Sequence, residues 1–268
     1  MSKTTSRPKL TNVMALFDLQ YPHHEPDVVD IFFQMATDYK PSVIILGGDN
    51  LDCTPVASHG PSAKTRVEQP IDLDFEGIDK HIIQRIEKEI RPARKIWMRG
   101  NHEMWLDDYR ANHPETGDLV DEVKELQLKE RGWEIVPYKK YTRVGKIYFH
   151  HGDWRQTRRH AFGGSKKYHA YDAVVRTHRN IRYGHNHTFQ AHSLVNPLDS
   201  NDAQTGICIP AACKLDQHYL EGGETNWLNG LYIAHILPNG NFSDFALIVS
   251  HGVTVYGGKV YRAINGKC

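Results

Sequence analysis

Five short polar clusters stand at the ends of apolar runs in this chain: Asp18-Leu19-Gln20, Gly48-Asp49-Asn50-Leu51-Asp52, Gly100-Asn101-His102-Glu103, His151-Gly152 and Gly184-His185-Asn186-His187. They offer carboxylate, amide-oxygen and imidazole donors and no thiolate. Such donors suit divalent ions of hard or borderline character, among them Mn²⁺, Fe²⁺, Zn²⁺ and Ni²⁺, and argue against a sulfur-rich zinc site. An ion so held lowers the pKa of a bound water and can supply a hydroxide near neutral pH. A lone Asp or His at a strand end is ordinarily a cap or a satisfied core residue. An ordered set of five would need five independent coincidences.

The intervening sequence supplies the elements that bring such clusters together. Asn12 to Phe17 and Pro41 to Leu46 are apolar runs of buried-strand length, and each ends just before a carboxylate. Between them Val28, Ile31, Phe32, Met35, Ala36 and Tyr39 recur at helical spacing after Pro26, whose fixed φ suits a first helical turn. A second such unit follows, with a helical stripe at Ile78, Ile82, Ile86 and Ile90 before the strand Lys95 to Met98. Cys53 to Leu73 is rich in Pro, Ser and Gly and reads as a long surface loop, either a lid beside the site or a disordered insertion. Helical segments are expected near Met104 to Asn112 and Leu119 to Glu130, with strands at Lys146 to His150 and Ile181 to Tyr183. Beyond residue 200 the expectation is strands alone: Ile207 to Leu215, Leu231 to Leu237, Phe242 to Val249 and Val253 to Arg262, with a turn at Pro238-Asn239-Gly240-Asn241. The whole of 1–268 reads as one α/β domain with a β-rich C-terminal half, and ligands of such folds gather at the carboxyl ends of strands.

Taken in order, the clusters resemble the calcineurin-like metallophosphoesterase superfamily, whose pattern is D-x-H, G-D-x-x-D, G-N-H-[ED], H-G and G-H-x-H. Four of the five blocks match in full. The resemblance implies a four-layer α/β/β/α sandwich with a mixed double sheet, and a centre of two divalent ions. It makes Asp49 the bridging ligand, puts Asp18 and His187 with it on one ion, and puts Asn101, His151 and His185 with it on the other. It also makes His102 the general acid that protonates the departing alkoxide, and gives Asp52 an orienting part behind a ligand. Mn²⁺ is the foremost expectation for the metal, with Fe²⁺, Zn²⁺, Ni²⁺ or Mg²⁺ as alternatives. The implied activity is hydrolysis of a phosphate ester by a metal-bound hydroxide, with Asp49 and His102 as the catalytic pair.

One block departs from the pattern. Gln20 stands where the family has His, with His23 and His24 just beyond. A Gln carbonyl is a neutral, weaker donor than imidazole, so Gln20 is expected as a ligand of a looser or harder-ion site, unless His23 or His24 reaches in instead.

The 33 basic and 32 acidic side chains leave a net charge of +1, which announces no nucleic-acid or membrane partner for the molecule as a whole. Charge is local: Arg155, Arg158, Arg159, Lys166, Lys167, Arg176, Arg179 and Arg182 face the single acid Asp172 between the last two clusters, with Trp154, Tyr168 and Tyr171 interleaved. That stretch suits phosphate clamping and base stacking, with Arg155, Arg158 and Arg159 as substrate contacts, or else is a solvated helix face. A phosphodiesterase or nuclease acting on single-stranded nucleic acid or nucleotides is the leading expectation. The alternatives are a phosphomonoesterase for small esters or phosphoproteins, and a binding module that keeps the fold for protein contacts. The opening residues show no apolar leader, no run approaches membrane-span length, and the four cysteines lack paired spacing, so a cytoplasmic protein with reduced thiols is expected.

Overall fold

The computed structural model describes residues 9–57, 70–115, 120–153, 167–217, 223 and 225–264. At its centre the runs TNVMAL and VIILG become β1 (Thr11–Leu16) and β2 (Val43–Gly47), parallel neighbours paired from Val13↔Val43 to Leu16↔Leu46. The same sheet adds β3 (Arg94–Met98) and β4 (Trp133–Val136) in parallel. On its other side come β10 (Gly230–Ile236) and β11 (Phe242–Ile248), antiparallel, giving the order β11-β10-β1-β2-β3-β4. A second mixed sheet has the order β5-β6-β7-β9-β8, built from β5 (Thr142–Val144), β6 (Ile147–His150), β7 (Asn180–Tyr183), β8 (Gln190–Asn196) and β9 (Asp199–Cys208).

Strand alternation sorts the core into layers. Met14 and Leu16 of β1, Ile44 and Leu46 of β2 and Trp97 of β3 pack with helices α1 (Pro26–Tyr39) and α2 (Ile71–Ile78). Their neighbours Val13, Ala15, Ile45, Ile96 and Met98 point the other way, onto Val144, Ile147 and Phe149 of the second sheet. Behind that sheet, Ala173 of a further helix, His169–Thr177, packs on Ile181, Tyr183 and Cys208. The result is helix, sheet, sheet, helix, as the resemblance implied. Pro26 opens α1, the Glu25 carboxylate accepts the Asp27 N–H at 3.4 Å, and Lys40 closes the helix in the left-handed region. Full burial of Val28, Ile31, Phe32 and Met35 on its inner face contributes about 1.5–3 kcal/mol each.

The remaining helices are α3 (Asn101–Asn112), α4 (Glu122–Glu125) and α5 (His169–Thr177). Helix α2 runs on through π-helical turns at Asp79–Ile83 and Ile86–Ile90. The helix expected over 119–130 is a single turn, α4, because Gln127 enters the left-handed region and the following N–H of Leu128 turns back to Val123 O. The strand expected over Ile207 to Leu215 ends at Cys208. Past Pro210 the backbone donors disperse, Ala211 N to Leu228 O, Ala212 N to Phe17 O and Lys214 N to His23 O, instead of continuing one ladder. The run Val253 to Arg262 is a hairpin of β12 (Val253–Tyr256) and β13 (Lys259–Arg262), folded at Gly257-Gly258, both at positive φ as a tight hairpin turn requires. Among the described residues no helix is long and apolar enough to cross a membrane. Cys53, Cys208 and Cys213 are buried free thiols.

Candidate metal centre

The carboxyl ends of β1, β2 and β3 deliver Asp18, Asp49 and Asn101, and those of β6 and β7 deliver His151, His185 and His187, so both sheets feed one place. The loops there are sharply bent. Asp18, Gln20, Asp49, His185 and His187 all have φ between 47 and 68°, a conformation that costs a non-glycine residue on the order of 1–3 kcal/mol and persists where surrounding structure imposes it. The imposing contacts are Asp18 N to Gly48 O at 3.1 Å, Gln20 N to Asp49 O at 2.8 Å and Gly184 N to His151 O at 2.7 Å. Gly184 is required by close approach: a Cβ there would overlap Asp18 Oδ2 and stand 2.8 Å from Phe17 Cδ1.

Two groupings result. In the first, His151 Nε2 lies 3.2 Å from Asp49 Oδ2 and 3.1 Å from Asn101 Oδ1, and the His151 and His185 rings are 5.2 Å apart. One donor atom each from Asp49, His151 and His185 lie within 4.8 Å of one another. In the second, His187 Nε2 is 3.5 Å from Asp18 Oδ1, while the Asp18 carboxylate accepts the His185 N–H at 2.8 and 3.0 Å. Asp18 and Asp49 are both essentially inaccessible.

The electrostatics are those of carboxylates seeking a cation. Burial by itself would raise Asp49, but the His151 and His102 charges and a hydrogen bond from His151 hold it well below the usual carboxylate range. Burial would likewise lower His151; the Asp49 charge and hydrogen bond, aided by Asp18 and Glu103, lift it to about 10. Burial and the neighbouring His151 charge push His185 down to about 4, which leaves a neutral imidazole with a lone pair to give. Buried carboxylates, an amide oxygen and imidazoles at these spacings fit divalent cations, and Asp18, Asp49, Asn101, His151, His185 and His187 are the residues that would hold them.

Supporting contacts fix the reactive groups. Glu103, absent from the expected site, clamps the ligand loops: its Oε2 accepts from Gly100 N at 2.7 Å and Asp49 N at 3.1 Å, and its Oε1 from Asn50 N at 2.8 Å and Leu51 N at 3.3 Å. The only sequence signal for this was its place in the third cluster. His102 Nδ1 is 2.7 Å from the Asp52 carbonyl oxygen, its ring packs on Trp105 at 4.1 Å, and its Nε2 is 3.8 Å from Asp49 Oδ2. Asp52 thus orients His102 through its backbone, while its carboxylate takes the Thr54 hydroxyl. His187 is flanked by Trp227 at 4.2 Å, ring to ring, and by Cys213, whose Sγ is 3.9 Å from Nδ1.

Gln20 is buried, and its Oε1 has no hydrogen-bond partner. His23 and His24 have contacts of their own, though His24 Nδ1 is, like Gln20 Oε1, buried without a hydrogen bond. His23 Nε2 lies 3.9 Å from Asp52 Oδ2, and His24 stacks flat on Tyr21 at 4.9 Å, its pKa lowered to about 4 mainly by burial. Arg155, Arg158, Arg159 and Lys166 lie outside the described residues, as does most of the expected loop after Cys53. Arg182 corrects the reading of the basic stretch. It is wholly buried between the sheets, pairing with Asp244 and donating to Thr205 O and Oγ1, because its place in β7 points it inward. Lys167 and Arg179 are exposed, with Tyr168 and Tyr171 beside Lys167 also exposed.

The profile of the calcineurin-like phosphoesterases matches residues 13–207, a span that includes all five clusters, and the chain belongs to that family. No curated protein matches it in sequence. Among solved structures it is similar to vacuolar protein sorting 29 from Cryptosporidium parvum, at 11% identity and a TM-score of 0.45 over 94% of each chain. It is also similar to Vps29 of Entamoeba histolytica complexed with zinc, at 9% identity and a TM-score of 0.42 over 93% of this chain and 95% of that one. Neither likeness bears on the chemistry of this chain.

Proposed function

We propose that the chain is a dinuclear metal-dependent phosphodiesterase acting on single-stranded nucleic acid or nucleotides. The observation that carries the chemistry is the meeting of the Asp18/His187 and Asp49/Asn101/His151/His185 groupings beside His102. When bound, two divalent cations would supply a water of lowered pKa and the charge to neutralise phosphoryl oxygens. Asp49, which stands with His151 and His185, is given the bridging part that serves both groupings. His102 holds the proton for the leaving group. A carbonyl oxygen can only accept, so the Asp52 carbonyl fixes a hydrogen on Nδ1 and leaves Nε2 as the atom that gives up a proton in the charged form. Trp105 against its face keeps the ring from turning.

The exposed Lys167, Tyr168 and Tyr171 at the start of α5, with Lys167 Nζ 5.4 Å from the Tyr168 ring and Tyr171 edge to face with His192, support a nucleic-acid strand as substrate, since cations meet phosphates and aromatic rings stack on bases. The test uses protein stripped by chelator and reconstituted with Mn²⁺, assayed on bis-p-nitrophenyl phosphate, p-nitrophenyl phosphate and a single-stranded oligonucleotide. The expected result is metal-dependent cleavage of the diester and the oligonucleotide, faster than of the monoester, and abolished by Asp49→Asn together with loss of bound metal. Faster monoester turnover would assign a phosphomonoesterase. No turnover with any of Mn²⁺, Fe²⁺, Zn²⁺, Ni²⁺ or Mg²⁺ would leave a binding module.

A further inference from the structure

Gln20 sits two residues after Asp18 on the loop leaving β1, with its backbone N–H bonded to the Asp49 carbonyl oxygen. Its side chain is 1% exposed and its Oε1 accepts no hydrogen bond. Leaving a buried amide oxygen unsatisfied costs about 1–3 kcal/mol. Its neighbours on these loops, the carboxylates of Asp18 and Asp49, are acceptors as well and are already faced by His187 and His151, so they offer Gln20 no hydrogen, whereas a cation would take oxygens from all three. Of the two histidines just beyond, His23 Nε2 lies 3.9 Å from Asp52 Oδ2 and His24 stacks on Tyr21 at 4.9 Å.

We infer that Gln20 contributes its carbonyl oxygen to the ion held by Asp18, Asp49 and His187, and that this makes the two metal positions unequal, one built for a hard ion and one for a borderline ion. The inference rests on the dinuclear reading above. The Gln20 position presents three oxygens, from Asp18, Gln20 and Asp49, with the single nitrogen of His187. The other presents two oxygens, from Asp49 and Asn101, with the two imidazoles of His151 and His185. Carboxylate and carbonyl donors suit Mn²⁺ and Mg²⁺, whereas imidazole suits Zn²⁺ and Fe²⁺. The protein therefore retains one borderline ion tightly and exchanges a hard ion at the Gln20 position. Its state of activation follows the supply of that hard ion.

The experiment reads metal binding, not turnover. Chelator-stripped protein is titrated calorimetrically with Zn²⁺, then desalted and titrated with Mn²⁺. Retained metal is counted by elemental analysis, and bound Mn²⁺ is followed by electron paramagnetic resonance. The wild-type chain should keep one Zn²⁺ through desalting, bind a second at least about tenfold more weakly, and fill the second position with Mn²⁺. Gln20→His should bring the second Zn²⁺ to within about threefold of the first, and Gln20→Glu should tighten Mn²⁺ about 10- to 100-fold. Gln20→Leu, which removes the unsatisfied amide, should lose the Mn²⁺ signal while keeping the tight Zn²⁺. Two Zn²⁺ ions of equal affinity in the wild-type chain would overturn the inference without recourse to any variant. So would an Mn²⁺ affinity indifferent to residue 20 in the Glu and Leu forms. If no form retains any ion, the dinuclear reading itself fails, which is a different result from two ions that ignore residue 20.

Discussion

Replacement of Glu103 by Gln tests whether one buried carboxylate holds the ligand loops in place. Each carboxylate oxygen accepts two backbone N–H groups, Gly100 and Asp49 on one, Asn50 and Leu51 on the other. An amide keeps one accepting oxygen. Whichever way it is turned, its NH₂ faces two donors that then have no acceptor, and both lie where water does not reach. Two stranded donors at about 1–3 kcal/mol each give a loss of roughly 2–6 kcal/mol. Repulsion between Glu103 and Asp49 would act in the opposite sense, but the Asp49 charge is already met by His151 at 3.2 Å. The measurement is urea denaturation of wild type and variant in chelator, compared at constant m so that a midpoint shift reads as stability. The N–H of Asp49 is one of the stranded donors, so metal affinity should fall as well. A stability loss under about 1 kcal/mol with unchanged metal affinity would refute the clamp.

His102→Ala should keep the bound metal but lower kcat by about 10²- to 10⁴-fold for alkyl leaving groups, with a much smaller loss for p-nitrophenolate, which leaves without a proton; equal losses for both would remove the acid role. In metal-free protein His151 is raised from 6.5 to about 10, so below that pH an arriving ion must displace its proton. Apparent metal affinity should therefore rise about tenfold per pH unit from about pH 7 and flatten near 10, with about one proton released, measured by calorimetry in buffers of different ionisation enthalpy; pH-independent binding would contradict this. The same raised pKa contributes stability that is complete below about pH 6.5 and lost as pH climbs through about 10, so chelated protein should unfold at lower urea at pH 10 than at pH 7. Gly184→Ala places a methyl group against the Asp18 carboxylate and Phe17, and should cost about 1–3 kcal/mol and weaken the ion bound through Asp18; an unperturbed midpoint and titration would show that the loop yields freely.

The donor clusters of the candidate centre were legible in the sequence because each is a local event: an apolar run long enough for one strand, then a donor residue. Asp18, Asp49, Asn101, His151, His185 and His187 could be named that way, and so could the parallel β1-β2-β3 core, whose hydrophobic runs allow no exposed face. The short strands β4 and β5 escaped because no donor cluster follows them, whereas β6 and β7, also short, are marked by His151-Gly152 and Gly184-His185 at their ends. What tertiary structure alone decided are relations between distant segments. Arg182 reads as one more cation in a basic stretch, yet the two-residue period of β7, packed against the first sheet, turns it inward onto Asp244. Glu103 reads only as the last member of the third polar cluster, and only the folding of the β2 and β3 ends toward each other makes it the acceptor of four N–H groups. Gln20 could be seen as a departure, but not that its oxygen is buried without a hydrogen-bond partner while His24 stacks on Tyr21. Sequence determines which donors exist and which strand each follows. The packing of two sheets determines which of those donors share one small volume, and that is a matter of contacts between residues far apart in the chain.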